Sequence, residues 1–314
     1  MSLDYLEAVV VGAFQGVTEL FPVSSLGHSV LIPALVGGRW ARDLDVSAPE
    51  SPYLAFIVGL HVATAAALLV FFRRDWIRIF GGFFSSVRYR RVETPAERLA
   101  WLIILATIPV GIAGLLLEHV FRTVLGKPLP AAIFLMVNGL VLYLGERLRR
   151  RAEPEPAAGV DPPTEVFAAV DARTVVMPAV AESADDRLAR MPARRGVLIG
   201  AAQILALLPG ISRSGATMVA GLTRGLSHED AARFSFLLAT PVILAAGAVK
   251  VPDLVGPLST GIHGQILAGS VASFVSAYVA VRFLTRYFHT RTLTPFAIYC
   301  GLAGLGSALW LTLA

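Results

Sequence analysis

The sequence predicts an all-α integral membrane protein: an inverted repeat of two re-entrant helix pairs plus six transmembrane helices. Three observations predict it. Of the 314 residues, 55% are hydrophobic and only 16% charged, and the mean hydropathy is +0.68, whereas soluble domains carry about 25% charged residues. Apolar runs such as AWLIILATIPVGIAGLLL (100–117) and AAIFLMVNGLVLYLG (131–145) reach or approach the length needed to cross a hydrocarbon layer about 30 Å thick as helices. The short alternating segments of a β-barrel are missing. Finally, two apolar segments are each interrupted by proline beside polar residues, and the two resemble each other.

The first broken segment, 3–38, carries QGVTELFPVSSLGHS (15–29) and is interrupted at Pro22. Proline removes a backbone donor and disfavours helix in the residue before it, so the segment reads as two half-helices that dip in and return. Such backbone is tolerated at membrane depth only where protein or water covers it. Spans follow near 53–72, 99–117 and 130–148. The second broken segment, 195–226, is interrupted at Pro209-Gly210, and spans near 230–250, 264–284 and 293–313 follow it.

GAFQGVTELFPVSSLGHS (12–29) and GAAQILALLPGISRSGAT (200–217) share Gly-Ala-x-Gln, a proline, and a serine three residues after the proline, with one residue of slack. A duplication is the simplest reading, and HVAT (61–64) and LLAT (237–240) echo it. Each half then holds one re-entrant pair and three spans. An odd number of spans makes the second half enter from the opposite face, which puts a site near the midplane between the broken helices. The predicted domains are a first repeat (1–148), a flexible cytoplasmic linker (149–194) and a second repeat (195–314). Pro-, Ala- and charge-rich RAEPEPAAGVDPPTEV (151–166) begins the linker's low-complexity part.

Basic residues alternate along the chain as this scheme requires. Segments 73–98, 147–195 and 282–291 hold seven, nine and three arginines, while 39–52, 118–130 and 250–263 hold two, two and one basic residues. The rich loops are expected in the cytoplasm and both termini outside. This topology accounts for the net charge of +5 without nucleic acid as a partner. No Lys or Arg precedes Arg39, so the start lacks the n-region of a cleaved signal, and the first helix is expected to be retained. Cys300, the single cysteine, excludes an internal disulfide and reads as a packing residue.

The polar residues at the breaks carry the chemistry. Gln15 and Glu19, four apart, share a helix face; Ser25 and His28 share the first turn after the break, and Ser24 can cap it. A carboxylate in a membrane helix is costly unless it faces a wet or paired interior, so Glu19 requires a partner, and His28 is the nearest in sequence. In the second break, Arg213 stands among Ser212, Ser214 and Thr217 at the start of a half-helix. Free N–H groups and the positive dipole end favour an anion there, and a guanidinium holds phosphate oxygens with two parallel bonds. Arg213 could instead pair with Glu19. Combined, these residues suggest Arg213 holding a phosphate, Ser25 attacking it, and His28 as base and then acid. Glu19 could orient His28 or bind a divalent cation, and water could replace serine as nucleophile. His61 is a further candidate for the same cavity.

These residues resemble the undecaprenyl-diphosphate phosphatase family, also called bacitracin-resistance proteins. The first family signature is matched by Gln15, Glu19, Pro22, Ser24, Ser25, Gly27 and His28, the second by Pro209, Gly210, Ser212, Arg213, Ser214, Gly215 and Thr217. The resemblance extends over roughly 1–148 and 195–314. It implies a bacterial plasma-membrane enzyme, opening to the outer face, that hydrolyses the polyprenyl diphosphate lipid of the cell-wall carrier cycle. A divalent cation, Mg2+ or Ca2+, would support activity with Glu19 as its ligand, and the chain could pair as a homodimer. The resemblance assigns catalysis to Glu19, Ser25, His28 and Arg213, and substrate binding to Gln15, Ser24, Ser212, Ser214 and Thr217. Three departures stand out: Gln15 replaces a frequent glutamate, Ala63 replaces a glycine, and the linker is long. A transporter or flippase of a polyprenyl phosphate lipid is the alternative, because broken helices in inverted repeats are typical of transport folds. The other large class of membrane lipid phosphatases requires a histidine after Ser-Arg, which SRSGATMVAG (212–221) lacks.

Overall fold

The computed structural model describes residues 3–44, 52–120, 124–152, 183–255 and 261–313. Among them all regular structure is helical. Helices α4 (Pro52–Phe71), α6 (Pro95–Val120), α7 (Pro128–Ala152), α11 (His228–Val255), α12 (His263–Tyr287) and α13 (Thr294–Leu313) stand where the six spans were predicted. At 1.5 Å per residue each reaches 30 Å or more.

Between the spans lie the broken segments. The first is α1 (Tyr5–Leu20) followed by α2 (Ser25–Val36) and the short α3 (Gly38–Asp43); the second is α9 (Ala193–Ala201), a 3-10 turn over Ala202–Leu207, and α10 (Arg213–Leu222). None of these helices is long enough to cross alone. Both breaks follow proline chemistry. Phe21, before Pro22, and Leu208, before Pro209, are extended (φ/ψ −66°/144° and −76°/120°). Each return helix then opens on a serine cap: Ser24 accepts from the Gly27 N–H and Ser212 from the Gly215 N–H, both at 3.2 Å.

The caps correct the register of the repeat. Counting from proline pairs Ser25 with Ser212, but the structure makes Ser24 the counterpart of Ser212, each nine residues after its glutamine. The two segments then align without slack, and only the prolines are offset by one. Ser25 and Arg213 therefore occupy the same position, the first residue of a return helix.

Small residues bring the helices together. A methyl group on Gly12 or Gly16 would run into the α12 backbone at Gly269 or Ser273, so α1 lies directly on α12. Gly200 sits in the same way against Ala106, placing α9 on α6. Helices α4 and α11 pack together, and α7 packs on α13 through Gly139 and Gly304. Exchanging α1 with α9, α4 with α11, α6 with α12 and α7 with α13 maps these pairings onto one another. Gly27 touches the second break, where an added methyl would lie 2.8 Å from Gly210 Cα.

Two segments expected as loop are structured. Residues 73–89 form helix α5 (Arg73–Tyr89), turned 86° from α4. Its apolar residues recur at helical spacing but are interleaved with arginine, so average hydropathy concealed the helix. Of the linker, residues 153–182 lie outside the described residues, but its end, expected to be flexible, is docked. There α8 (Ala184–Ala189) buries Leu188 completely; Asp185 accepts from Arg233 at 2.6 Å and from Arg78, and Arg187 grips both oxygens of Asp230 at 2.7–3.2 Å. Opposite charges placed on neighbouring helices, not composition, decide that docking.

Two outcomes are expected. Gly16→Leu should lower the unfolding temperature in detergent by the equivalent of about 1–3 kcal/mol or more, because the α12 backbone cannot yield; an unchanged midpoint would contradict the α1–α12 contact. Deleting 155–180 should leave that midpoint near wild type, whereas deleting 155–188 should lower it by removing Asp185, Arg187 and Leu188.

Candidate active site

The site forms where α1 ends and both return helices begin. Glu19, the penultimate residue of α1, is buried. Its Oε2 accepts a hydrogen bond from Ser25 Oγ at 2.5 Å and one from Gln15 Nε2 at 2.9 Å. Its Oε1 accepts from Arg213 Nη2 in an ion pair. The leading residues of α2 and α10 thus donate to the two oxygens of one carboxylate. The Glu19–Arg213 pair, an alternative to phosphate binding in the sequence, is the arrangement found.

His61 completes this cluster. Its Nδ1 lies 2.9 Å from the Ile57 carbonyl, which can only accept, so Nδ1 carries the proton. Nε2 is left facing Gln15 Nε2 at 3.2 Å and Glu19 Oε2 at 3.4 Å. Glu19's histidine neighbour is therefore His61, 42 positions away in sequence, and not His28. His61 is the tenth residue of α4 and Asn138 the eleventh of α7, so the site sits near mid-depth in the bundle.

His28 departs from its expected role. Nδ1 donates to the Ser24 carbonyl at 2.7 Å and Nε2 accepts from Tyr299 Oη at 2.8 Å. Its ring lies between Phe14, with centroids 5.5 Å apart, and Tyr299, at 5.7 Å and 9° from parallel. Among the described residues it makes no hydrogen bond to Ser25 or Glu19. The reason is local: one turn into α2, its nearest acceptor is the carbonyl four residues back, and Tyr299 covers the other nitrogen. His28 braces the break at Ser24, whose φ of +69° is rare for a residue with a side chain and costs on the order of 1–3 kcal/mol.

Of the predicted phosphate donors of the second break, Ser212 and Ser214 join it to the first, and Thr217 does not. Ser214 Oγ donates to the Phe21 carbonyl at 3.1 Å, and Ser212 Oγ lies 3.0 Å from Ser214 Oγ. Thr217 Oγ1 turns back to the Arg213 carbonyl at 2.8 Å. Asn138, which sequence reasoning missed, clasps both breaks: Nδ2 donates to the Pro22 carbonyl at 3.0 Å and Oδ1 accepts from the Ser212 N–H at 3.0 Å. Its signal was a lone carboxamide inside FLMVNGLVL (134–142); Tyr299 had no comparable one. The second half lacks an acid, since Leu207 stands four residues after Gln203. Among the described residues no group of three or more His, Cys, Asp or Glu could hold a metal.

Broken helices that meet at mid-depth around a paired carboxylate and guanidinium place the chain among multi-pass membrane proteins with an intramembrane polar site. Residues 8–306 match the family described as "Bacitracin resistance protein BacA", and the chain belongs to that family. It is 72% identical to the undecaprenyl-diphosphatase of Mycolicibacterium paratuberculosis, covering 99% of this chain and 98% of the relative. It is 56% identical to undecaprenyl-diphosphatase 1 of Frankia casuarinae (96% and 97% covered) and 40% to undecaprenyl-diphosphatase of Granulibacter bethesdensis (100% and 99%).

A double-mutant cycle tests the ion pair. Glu19→Gln and Arg213→Gln should each destabilise the protein by about 3–5 kcal/mol, because each leaves a buried charge unpaired. The double variant should lose much less than the sum, as read from denaturant unfolding in detergent; additive losses would show that the two groups do not interact.

Proposed function

We propose that the chain hydrolyses undecaprenyl diphosphate to undecaprenyl phosphate and inorganic phosphate, renewing the cell-wall lipid carrier. The observation that carries this reading is the approach of Ser25 and Arg213 to opposite oxygens of Glu19. Its context is a family whose relatives bear the diphosphatase name. A lipid diphosphate suits a mid-depth polar site, since its tail stays in the bilayer while its charged head meets the guanidinium.

In the proposed mechanism the diphosphate displaces Glu19 from Arg213, which then holds the terminal phosphate. Glu19 Oε2, already accepting from Ser25 Oγ, takes the hydroxyl proton as Oγ forms a bond to the terminal phosphorus. The bridging P–O bond breaks and undecaprenyl phosphate leaves with that electron pair, taking the proton from Glu19 onto the departing oxygen. Water, giving its proton to a carboxylate again free, attacks the phosphoserine, and Ser25 regains a proton as inorganic phosphate departs. Gln15 fixes the orientation of Glu19, while Ser24, Ser212, Ser214 and Thr217 shape the two helix starts. Both repeats, in inverted orientation, are needed, because each supplies one side of the site.

A divalent cation, Mg2+ or Ca2+, would be held by Glu19 together with substrate phosphate oxygens and would neutralise charge there. One carboxylate suffices for Mg2+ when phosphates supply further ligands. The arginine-rich segments support a cytoplasmic placement of their end of the bundle, and in a bacterial plasma membrane the site would then open to the outer face. Transport of a polyprenyl phosphate lipid remains the second reading, favoured by the broken helices.

Purified protein in detergent should release phosphate from a prenyl diphosphate; no release would favour transport, which needs two compartments. Arg213→Ala and Ser25→Ala should each lower kcat by about 10²–10³-fold. Retention of more than about a tenth of the activity in Ser25→Ala would instead make water the nucleophile.

A further inference from the structure

Helix α5 takes no part in the site, yet its surface is divided into three sectors. Successive residues of a helix are separated by about 100°. Trp76, Ile79, Gly82 and Ser86 face the protein; there Ser86 Oγ accepts from Trp101 Nε1 at 2.9 Å, Ser85 Oγ donates to Glu97 at 2.8 Å, and Phe83 meets Trp101. On the adjoining side Ile77, Phe80, Phe84 and Val87 form a strip at positions 0, 3, 7 and 10, exposed by 72%, 51%, 67% and 52%. Beyond that strip lie Arg74, Arg78 and Arg88, all exposed; Arg73, the first residue of the helix, falls in the strip's own sector and donates to the Val70 carbonyl at 3.4 Å at the junction with α4.

Geometry and charge limit what can cover the strip. α5 leaves the end of the α4 span at 86°, so it runs along the membrane plane and not through it. Burial in the hydrocarbon centre is excluded by its arginines, which cost a few kcal/mol each there. The neighbouring spans also expose apolar side chains, among them Val70 of α4 and Ile104 and Ile108 of α6. An amphipathic helix with arginine beside its apolar face lies in the acyl–headgroup boundary and attracts anionic lipids.

We propose that α5 is a membrane-surface helix: Ile77, Phe80, Phe84 and Val87 seat in the acyl–headgroup boundary of the cytoplasmic leaflet, and Arg74 and Arg88 hold anionic phospholipid headgroups. Arg78 is already committed to Asp75, at 3.1 Å, and to Asp185, which ties this helix to α8. The inference is independent of the reaction at Glu19.

The test uses the full chain with Phe84→Cys or Arg74→Cys, the resident Cys300 being buried, labelled with a fluorophore in lipid nanodiscs. The label at 84 should be quenched by brominated phosphatidylcholine and shielded from aqueous iodide, and the label at 74 should show the reverse. Brominated phosphatidylglycerol should quench at 84 with an about fivefold lower half-saturating mole fraction, which corresponds to ~1 kcal/mol of headgroup attraction. Adding Arg74→Gln and Arg88→Gln should remove that preference and leave quenching by phosphatidylcholine unchanged. Iodide access at 84 without lipid quenching overturns the proposal, as does equal quenching by both lipids. Protection from both quenchers, with transfer between labelled chains, would overturn it in favour of a second copy covering the strip.

Discussion

The structure depends on one carboxylate shared by two helix starts. Glu19 stands at the C-terminal end of α1, where the helix dipole disfavours negative charge, within a bundle whose outside is lipid. Such a group is tolerated only when paired. Ser25 and Arg213, each the first residue of a return helix, supply the partners from opposite halves of the chain. Everything nearby serves that meeting. The prolines stop the helices in time, the serine caps restart them at the right residue, and the cap-proximal glycine Gly27 lets the breaks touch.

Broken helices expose backbone groups, and those groups need partners at a depth where water is scarce. Asn138 satisfies two at once, the Pro22 carbonyl and the Ser212 N–H, and so locks the breaks to each other and to α7. Ser214 adds a bond to the Phe21 carbonyl, and His28 with Tyr299 secures Ser24 in its strained conformation. Polar residues that look like a binding set are therefore also the adhesive of the fold. That double duty couples stability to the site: loosening a break would also shift Ser25 and Arg213, the leading residues of the two return helices.

The halves share a frame but not a chemistry. Gln15 and Gln203 hold equivalent places, as do Ser24 and Ser212 and then Gly27 and Gly215. Around that frame the first half placed Glu19 and Ser25, and the second placed Leu207 and Arg213. A carboxylate in both halves would repel, and a guanidinium in both would lack its counter-ion; the division of acid and base is what permits a paired centre. Away from it, Asp185, Arg187, Asp230 and Arg233 fasten the linker's end to α5 and α11, so the second half is anchored to the first beside α5 as well as in the middle.

The sequence alone determined the helical class, the six long helices at the predicted spans, two breaks, and most of the residues at the centre, because hydropathy, proline and capping preferences act over a few neighbouring residues. It also carried the duplication, though anchoring on proline misplaced the register by one. Only the tertiary structure decided who meets whom. Glu19 and Arg213 are 194 positions apart, and His61 displaces His28 beside the carboxylate because α1 lies flush against α12 and α4 packs across both. Asn138 acts through partners 116 and 74 positions away, and Tyr299 through one 271 positions away. α5 was hidden because its apolar and arginine-bearing sectors cancel in any average over the chain. Local patterns determine how each segment folds, whereas the pairing of a buried charge is decided by which segments the packing of small residues lets come close.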